Sequence, residues 1–435
     1  MKFRSTLRHS PEVSLREAVL HGSAADGGLF MPVEIPHLSD TFLRRLPGMP
    51  FLEIAREAGG LFCGDEVPAP VFEKIVAEAF DFPVPIVKLS EDLHILELFH
   101  GPTLAFKDFG ARFMARLMGY FVQQTGQELI VIVATSGDTG SAVAHAFLGV
   151  PGIRVVILYP AGRVSVAQEK QLTTLGQNIT ALELAGAFDD CQRLAKQALV
   201  DPALAGKVML TSANSINIAR LIPQSFYYFA AAAQLKTPDP PPVFSVPSGN
   251  FGNLTGGLLA RRMGLRTRRF VAATNANDVV PEFLRTGALV PRASLQTMSN
   301  AMDVGNPSNF ARMADLYGND LEAIRRDVWG CSFSDQDTLR VMREVQRSCG
   351  YLLDPHTAVG VLGWRRFAKQ EPNAGRGIVL ATAHPAKFAD VVERATGIRP
   401  EMPQRLAAFL DRPKKSISFP NQFSTLREFL LSAKS

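Results

Sequence analysis

Lys107 sits between two phenylalanines in the run His100–Gly110 (HGPTLAFKDFG), directly after the apolar, strand-like stretch Ile95–Phe99. An amine held in apolar surroundings disfavours its charged form, and burial can lower a lysine pKa by up to ~3–5 units. Such a lysine can act as a nucleophile and form a Schiff base with a carbonyl. The ordinary alternative is a lysine on the first turn of a helix, paired with Asp108 or simply solvated. Taken alone the segment favours that ordinary role; two other stretches change the balance.

Those stretches are Ala134–Gly140 (ATSGDTG) and Val246–Asn253 (VPSGNFGN), each leading from an apolar run into a helical pattern. Glycines let the backbone approach a ligand closely. Exposed N–H groups and the helix dipole then make an anion site at the helix start. Any strand-to-helix turn can use Ser, Gly and Asn for capping alone. Two such turns in one parallel-sheet protein favour a ligand crevice at the carboxyl ends of the strands. Neither spells Gly-x-Gly-x-x-Gly, and the chain has no Gly-x-x-x-x-Gly-Lys-Ser/Thr loop. A phosphorylated ligand smaller than a dinucleotide fits, and a Schiff-base lysine beside a phosphate cradle suggests pyridoxal phosphate.

The elements that must position these groups alternate. Apolar runs at 129–134, 155–158, 179–184, 208–210, 243–246, 270–273 and 377–381 are separated by helical stretches, including 141–148, 166–175, 190–199, 224–235, 253–263 and 279–285. Helices are also expected from the polar loop 297–309 up to Phe367. Continuous apolar runs alternating with helices indicate parallel sheets covered on both faces. Pro238–Pro242 reads as a stiff connector. Residues 1–90, broken by Gly27-Gly28 and several prolines, read as a mostly helical N-terminal region. The expected division is 1–90, then a smaller α/β domain 91–205 carrying Lys107, a larger α/β domain 206–400 carrying the Val246–Asn253 turn, and a C-terminal extension 401–435.

Composition narrows the class. With 435 residues, 46% hydrophobic and 20% charged, the chain is an ordinary globular protein of two or three domains. A net charge of +5, spread over scattered Lys and Arg, gives no concentrated basic face, so no nucleic-acid partner is expected. Cys63, Cys191, Cys331 and Cys349 lie far apart, which signals neither a metal site nor a disulfide framework. The N-terminus lacks a signal peptide's apolar core, and no run approaches the ~18 apolar residues of a membrane span. A soluble, cytoplasmic protein without a membrane partner is expected.

The His100–Gly110 segment closely resembles the cofactor-lysine segment of the threonine synthases. The resemblance continues through ATSGDTGSA (134–142), SANSINIARL (212–221), VPSGNFGN (246–253), AATNAN (272–277), MSNAMD (298–303) and TAHPAKF (382–388). It includes GLFMPVEIP (28–36), as in the longer of the two threonine synthase types. It implies a fold-type-II, tryptophan synthase β-like α/β enzyme that uses pyridoxal phosphate to turn O-phospho-L-homoserine and water into L-threonine and phosphate. By that resemblance Lys107 carries the cofactor and is the catalytic residue. Ser248, Gly249, Asn250, Phe251, Gly252 and Asn253 hold its phosphate, and Thr382 faces its ring nitrogen. Asp138 stands where shorter threonine synthases have an Asn beside the ring's 3-hydroxyl, a change from amide to carboxylate. Ser136, Thr139, Asn214, Asn217, Asn300 and Lys387 are the candidates for holding substrate phosphate and carboxylate. A fold-type-II dehydratase would share the lysine and the glycine turn, though not obviously the N-terminal region or the 299–303 and 382–388 segments. A non-catalytic binder that kept the fold is a further alternative, opposed by the intact lysine and both turns.

Overall fold

The computed structural model describes residues 1–135, 137–236, 239–371 and 373–432. Of the expected connector, Pro238 lies outside that set, as does Ser136 among the candidate site residues.

The N-terminal region begins with a small antiparallel sheet, β1 (Lys2–Ser5), β2 (Val13–Ser14) and β3 (Phe30–Pro32), in the order β2-β1-β3. Four helices accompany it: Leu15–His21, Asp40–Arg45, Phe51–Cys63 and Ala69–Ala79. Ser14 starts the first by accepting from the Glu17 amide while the Glu17 carboxylate reaches back to the Ser14 amide. The region is welded to the body by rings. Phe80 and Phe82 lie 5.9 and 5.0 Å from Phe109, two residues past Lys107, and Phe109 in turn lies 5.2 Å from Tyr227. Helix Lys107–Gln123 is therefore clamped from both sides.

The remaining strands are β4 (Ile86–Lys88), β5 (Leu93–Glu97), β6 (Leu129–Ala134), β7 (Ile153–Pro160), β8 (Ile179–Leu184), β9 (Met209–Ser212), β10 (Val243–Pro247), β11 (Arg269–Thr274), β12 (Val328–Ser332), β13 (Gly377–Ala381) and β14 (Ser416–Phe419). They form two sheets, β12-β11-β10-β13-β5-β4 and β14-β8-β7-β6-β9. Both are parallel except for the edge strand β4. Every residue of β6 (LIVIVA) is buried, because helices cover both faces.

Sheet membership departs from the expected division of the chain. β5, which leads to Lys107, lies in the six-stranded sheet beside β13, not in the sheet of the strands β6, β7 and β8 it was grouped with. β9, grouped with 206–400, closes the five-stranded sheet against β6. The C-terminal stretch is no appendage: β14 pairs with β8, and Leu426 and Leu430 are buried against Cys191 and Leu194. Apolar runs mark strands, but partner choice depends on crossovers between distant parts of the chain. β12 falls where only helices were expected, since Val328–Ser332 (VWGCS) is short and carries a glycine.

Candidate active site

β10, β13 and β5 are adjacent and parallel, with Val243 opposite Gly377 and Gly377 opposite Leu93. The segments after their carboxyl ends therefore meet, and these are Ser248–Asn253, Thr382–Phe388 and Leu98–Lys107. A further antiparallel bridge joins Ala105 to Ala383. Around it the Phe106 amide donates to the Thr382 carbonyl at 2.9 Å and the His384 amide to the Leu104 carbonyl at 3.1 Å. Leu104 takes a left-handed φ of +58°, a costly choice for a branched residue and one concentrated at functional sites. Lys107 follows as the first residue of its helix. The Thr382 hydroxyl makes no hydrogen bond among the described residues.

Burial pushes the Lys107 ammonium down to about 8; Asp138 opposes the shift, while Arg220 and Lys387 add to it. Asp108 is not its partner. That carboxylate turns the other way, accepting from the Thr103 amide (2.9 Å) and hydroxyl (2.7 Å). A Cβ on Gly101 would stand 2.4 Å from Asp108 Oδ2, so the loop closes only with glycine there. The ordinary reading of Lys107, paired with its neighbour, is thereby removed.

The glycine turn after β10 is held from beneath. The Ser248 amide donates to the Ala273 carbonyl and its hydroxyl to the Val246 carbonyl. Phe251 has φ +60°, and helix Gly252–Arg262 starts immediately after it. Asn250 spends its side chain bridging Ser215 and Ser308, leaving only its backbone for a ligand. Asn253 Oδ1 accepts from the hydroxyls of Tyr227 (2.6 Å) and Tyr228 (2.9 Å). Its Nδ2, and that of Asn309, are buried without a hydrogen-bond partner among the described residues. A Cβ on Gly249 would meet the Met302 Cα at 2.6 Å, whereas one on Gly252 would meet nothing nearer than Asn309 Nδ2 at 3.4 Å. Gly249 is thus required by the protein's own packing, whereas a Cβ at Gly252 would make only ordinary contacts.

The second sheet faces this cluster. After β6, Thr135 Oγ1 accepts from the amides of Gly137 (3.0 Å) and Gly140 (2.8 Å). Gly137, at φ +143°, leaves room for the Gln168 side chain. Asp138 opens helix Asp138–Phe147, and its Oδ1 receives Lys387 Nζ at 2.6 Å and Gln168 Nε2 at 2.9 Å. Burial works against the charge on Asp138, but Lys387 and Lys107 outweigh it and hold the carboxyl well below the usual range.

The six candidates for substrate contact separate. Thr139 is half-buried and Asn300 exposed, and neither side chain is engaged among the described residues. Asn214 donates to the Ala134 carbonyl at 2.9 Å, joining the ends of β6 and β9. Asn217 is engaged within the protein. Fully buried, it caps helix Ile218–Leu221 and ties down Val19 through its amide. Lys387 is likewise engaged, its ammonium fully buried and donating also to the Thr103 carbonyl at 2.9 Å. Gln168, Thr103, Ser215 and Asn309 join the site without having been singled out. Their roles arise from contacts between distant segments, for which single residues in ordinary helices and loops carry no signal.

Family models match three stretches, the last two overlapping: threonine synthase N terminus at residues 2–80, pyridoxal-phosphate dependent enzyme at 82–382, and threonine synthase, C-terminal, at 357–430. The threonine synthase of Serratia marcescens is 44% identical over 438 residues, covering 99% of each chain. The crystal structure of threonine synthase from Escherichia coli matches with a TM-score of 0.92 at 43% identity over the whole of both chains. The pyridoxal-phosphate-bound threonine synthase from Brucella melitensis matches with a TM-score of 0.94 at 37% identity, again over both whole chains. The residues present fit that cofactor. A lysine with a lowered pKa suits its aldehyde, and the helix start with two buried amide donors that have no hydrogen-bond partner among the described residues suits its phosphate. The chain belongs to the threonine synthase family of pyridoxal-phosphate enzymes.

Proposed function

We infer that this protein is a lyase that converts O-phospho-L-homoserine and water to L-threonine and inorganic phosphate. The observation that carries the reading is the meeting of Lys107, Thr382 and the Ser248–Asn253 turn at the ends of the adjacent strands β5, β13 and β10. Likeness to threonine synthases over the full length supports the choice of substrate. Among the described residues no helix is long and apolar enough to cross a membrane, and we assign the protein to the cytoplasm.

Bound pyridoxal phosphate supplies an electron sink that acidifies the substrate's α and β carbons. We assign its aldehyde to Lys107, its ring nitrogen to the Thr382 hydroxyl, and its phosphate to the amides of Gly249–Asn253 with Nδ2 of Asn253 and Asn309. Burial, which lowers the Lys107 amine to about 8, favours the neutral form that can act as a base. Lys107 Nζ on its flexible stem takes the proton first from Cα and then from Cβ. The γ phosphate leaves with its bonding pair and the water oxygen bonds to Cβ; of the three protons released from Cα, Cβ and the water, two return to Cα and Cγ and the third leaves on the phosphate. Thr139, Asn300 and Asn214, with Ser136, are the groups we assign to the substrate's anionic ends. The two sheets close over the substrate, excluding water until the addition step.

Incubation with O-phospho-L-homoserine, followed by assays for threonine, phosphate and keto acid, tests the reading. Threonine and phosphate in equal amounts are expected, and keto acid without threonine would overturn it in favour of a dehydratase. Lys107→Ala should abolish turnover, since a positioned base alone contributes ~10²–10⁴-fold. A variant near the wild-type rate removes Lys107 from its role.

A further inference from the structure

Asp138 and Lys387 come from different sheets, one after β6 and the other after β13, yet their charged atoms lie 2.6 Å apart with both side chains buried. Lys387 also donates to the carbonyl of Thr103, the residue that Asp108 grips through two hydrogen bonds. One ammonium thus ties the opposite sheet to the loop that delivers Lys107. Gln171 Nε2 reaches the same carbonyl at 3.4 Å. Asp138 Oδ1 carries both Lys387 and Gln168, and Oδ2 makes no hydrogen bond among the described residues.

The charges facing Lys107 are few. Asp138 lies on the helix after β6, Lys387 on the turn after β13, and Arg220 on helix Ile218–Leu221; Asp108 points back to Thr103. His145, beside Lys387, is pushed down to about 4, mainly by burial, and stays neutral. With Lys107 these make three cations against one facing carboxylate. Loss of Asp138 alone would leave the cations together, and loss of Lys387 alone would leave the Asp138 carboxylate, held by Gln168, without its ion-pair partner. Removing one member of a buried pair leaves an uncompensated charge, which costs far more than removing both.

We propose that Asp138 and Lys387 form one charge-neutral positioning unit that spans the two sheets and sets the protonation of Lys107. Neither residue serves without the other, and neither holds substrate through its own charge. The proposal rests on the cofactor reading given above and names a role for two residues of the same site.

The test compares holoenzymes of the wild type, Asp138→Asn, Lys387→Met and the double variant. Two readouts are needed: the pH midpoint of the bound cofactor's visible absorbance, and the cofactor dissociation constant of the apoenzyme. Asp138→Asn should move the midpoint down and Lys387→Met should move it up, each by about one pH unit. Each single variant should weaken cofactor binding by roughly tenfold or more, and the double variant should bind more tightly than the weaker single. Lys387→Arg, which keeps the charge, should hold the midpoint near wild type, and it serves as the probe if Asp138→Asn does not fold. Midpoints that do not move, or move in the same direction, overturn the proposal, as does a double variant weaker than both singles. So does an arginine variant that shifts as far as the methionine one. In each of those cases a wild type that binds cofactor and forms threonine leaves the functional reading standing; a wild type with no cofactor band removes both.

Discussion

The amide of Phe106 donates to the carbonyl of Thr382 at 2.9 Å, so the residue before Lys107 is pinned by backbone to a residue whose hydroxyl makes no hydrogen bond among the described residues. Position and chemistry are therefore separable at Thr382. Thr382→Val keeps the backbone bond and removes only the hydroxyl. Lys107 should stay in place, cofactor should still bind, and kcat should fall about tenfold, the worth of one hydrogen bond of ~1.4 kcal/mol. Steady-state kinetics with cofactor absorbance decides it. An unchanged kcat would show that the hydroxyl faces nothing that reacts.

The glycine turn allows a sharper division. Gly249→Ala drives a Cβ to 2.6 Å from the Met302 Cα, a backbone atom that cannot step aside. It should lower thermal stability and loosen the 300–302 turn. A Cβ at Gly252 makes ordinary contacts only, with Asn309 Nδ2 at 3.4 Å and Gln224 Nε2 at 3.8 Å, so Gly252→Val should fold normally while losing cofactor occupancy, because the branch stands over the helix start. Melting temperature and cofactor content measured on both variants distinguish the cases. Normal occupancy in a folded Gly252→Val protein removes the turn from the phosphate site.

Local features of this molecule were legible because they are local. The strands 129–134, 179–184 and 377–381 fall at the residues their apolar runs indicated, since a buried parallel strand is a continuous apolar segment. Lys107 and the turn at 248–253 stood out by residue type. The assignment of β5 to the sheet of β10 and β13 was not legible, for no residue within Leu93–Glu97 specifies its partner. The same holds for Lys387. A lysine in a polar turn reads as an open anion receptor, and only the fold reveals Asp138 already filling it.

Arg312 offers a test of how the N-terminal region is held to the site. Fully buried, it spreads its donors over the carbonyls of Phe30, Ser215 and Ile216 and over Asn309 Oδ1, and burial pushes its guanidinium down to about 9. Arg312→Ala strands four acceptors at once and should cost ~3–5 kcal/mol. Lysine cannot replace a planar fork serving several directions, so Arg312→Lys should recover little of the loss. Chemical denaturation measures both. A lysine variant as stable as wild type would mean that charge alone suffices.

Asp108 gives the protein a dependence on pH that runs opposite to that of most carboxylates. Burial raises its value from the ordinary 3.8 to about 6, with the two Thr103 hydrogen bonds pulling the other way. The folded protein therefore holds this proton more tightly than the unfolded chain does. Its contribution to stability is complete below pH ~4 and is lost as pH rises through about 6. Asp108→Asn keeps the shape: its carbonyl oxygen can accept from the Thr103 amide and its NH₂ can donate to the Thr103 hydroxyl. It carries no charge to bury. Relative to wild type, the variant should gain about 3 kcal/mol between pH 4 and pH 7, from roughly two units at ~1.4 kcal/mol each. Denaturant midpoints for both proteins at the two pH values provide the measurement. A difference that stays constant with pH would show that Asp108 is charged in the folded protein at little cost, and that its contact with Thr103 compensates fully for burial.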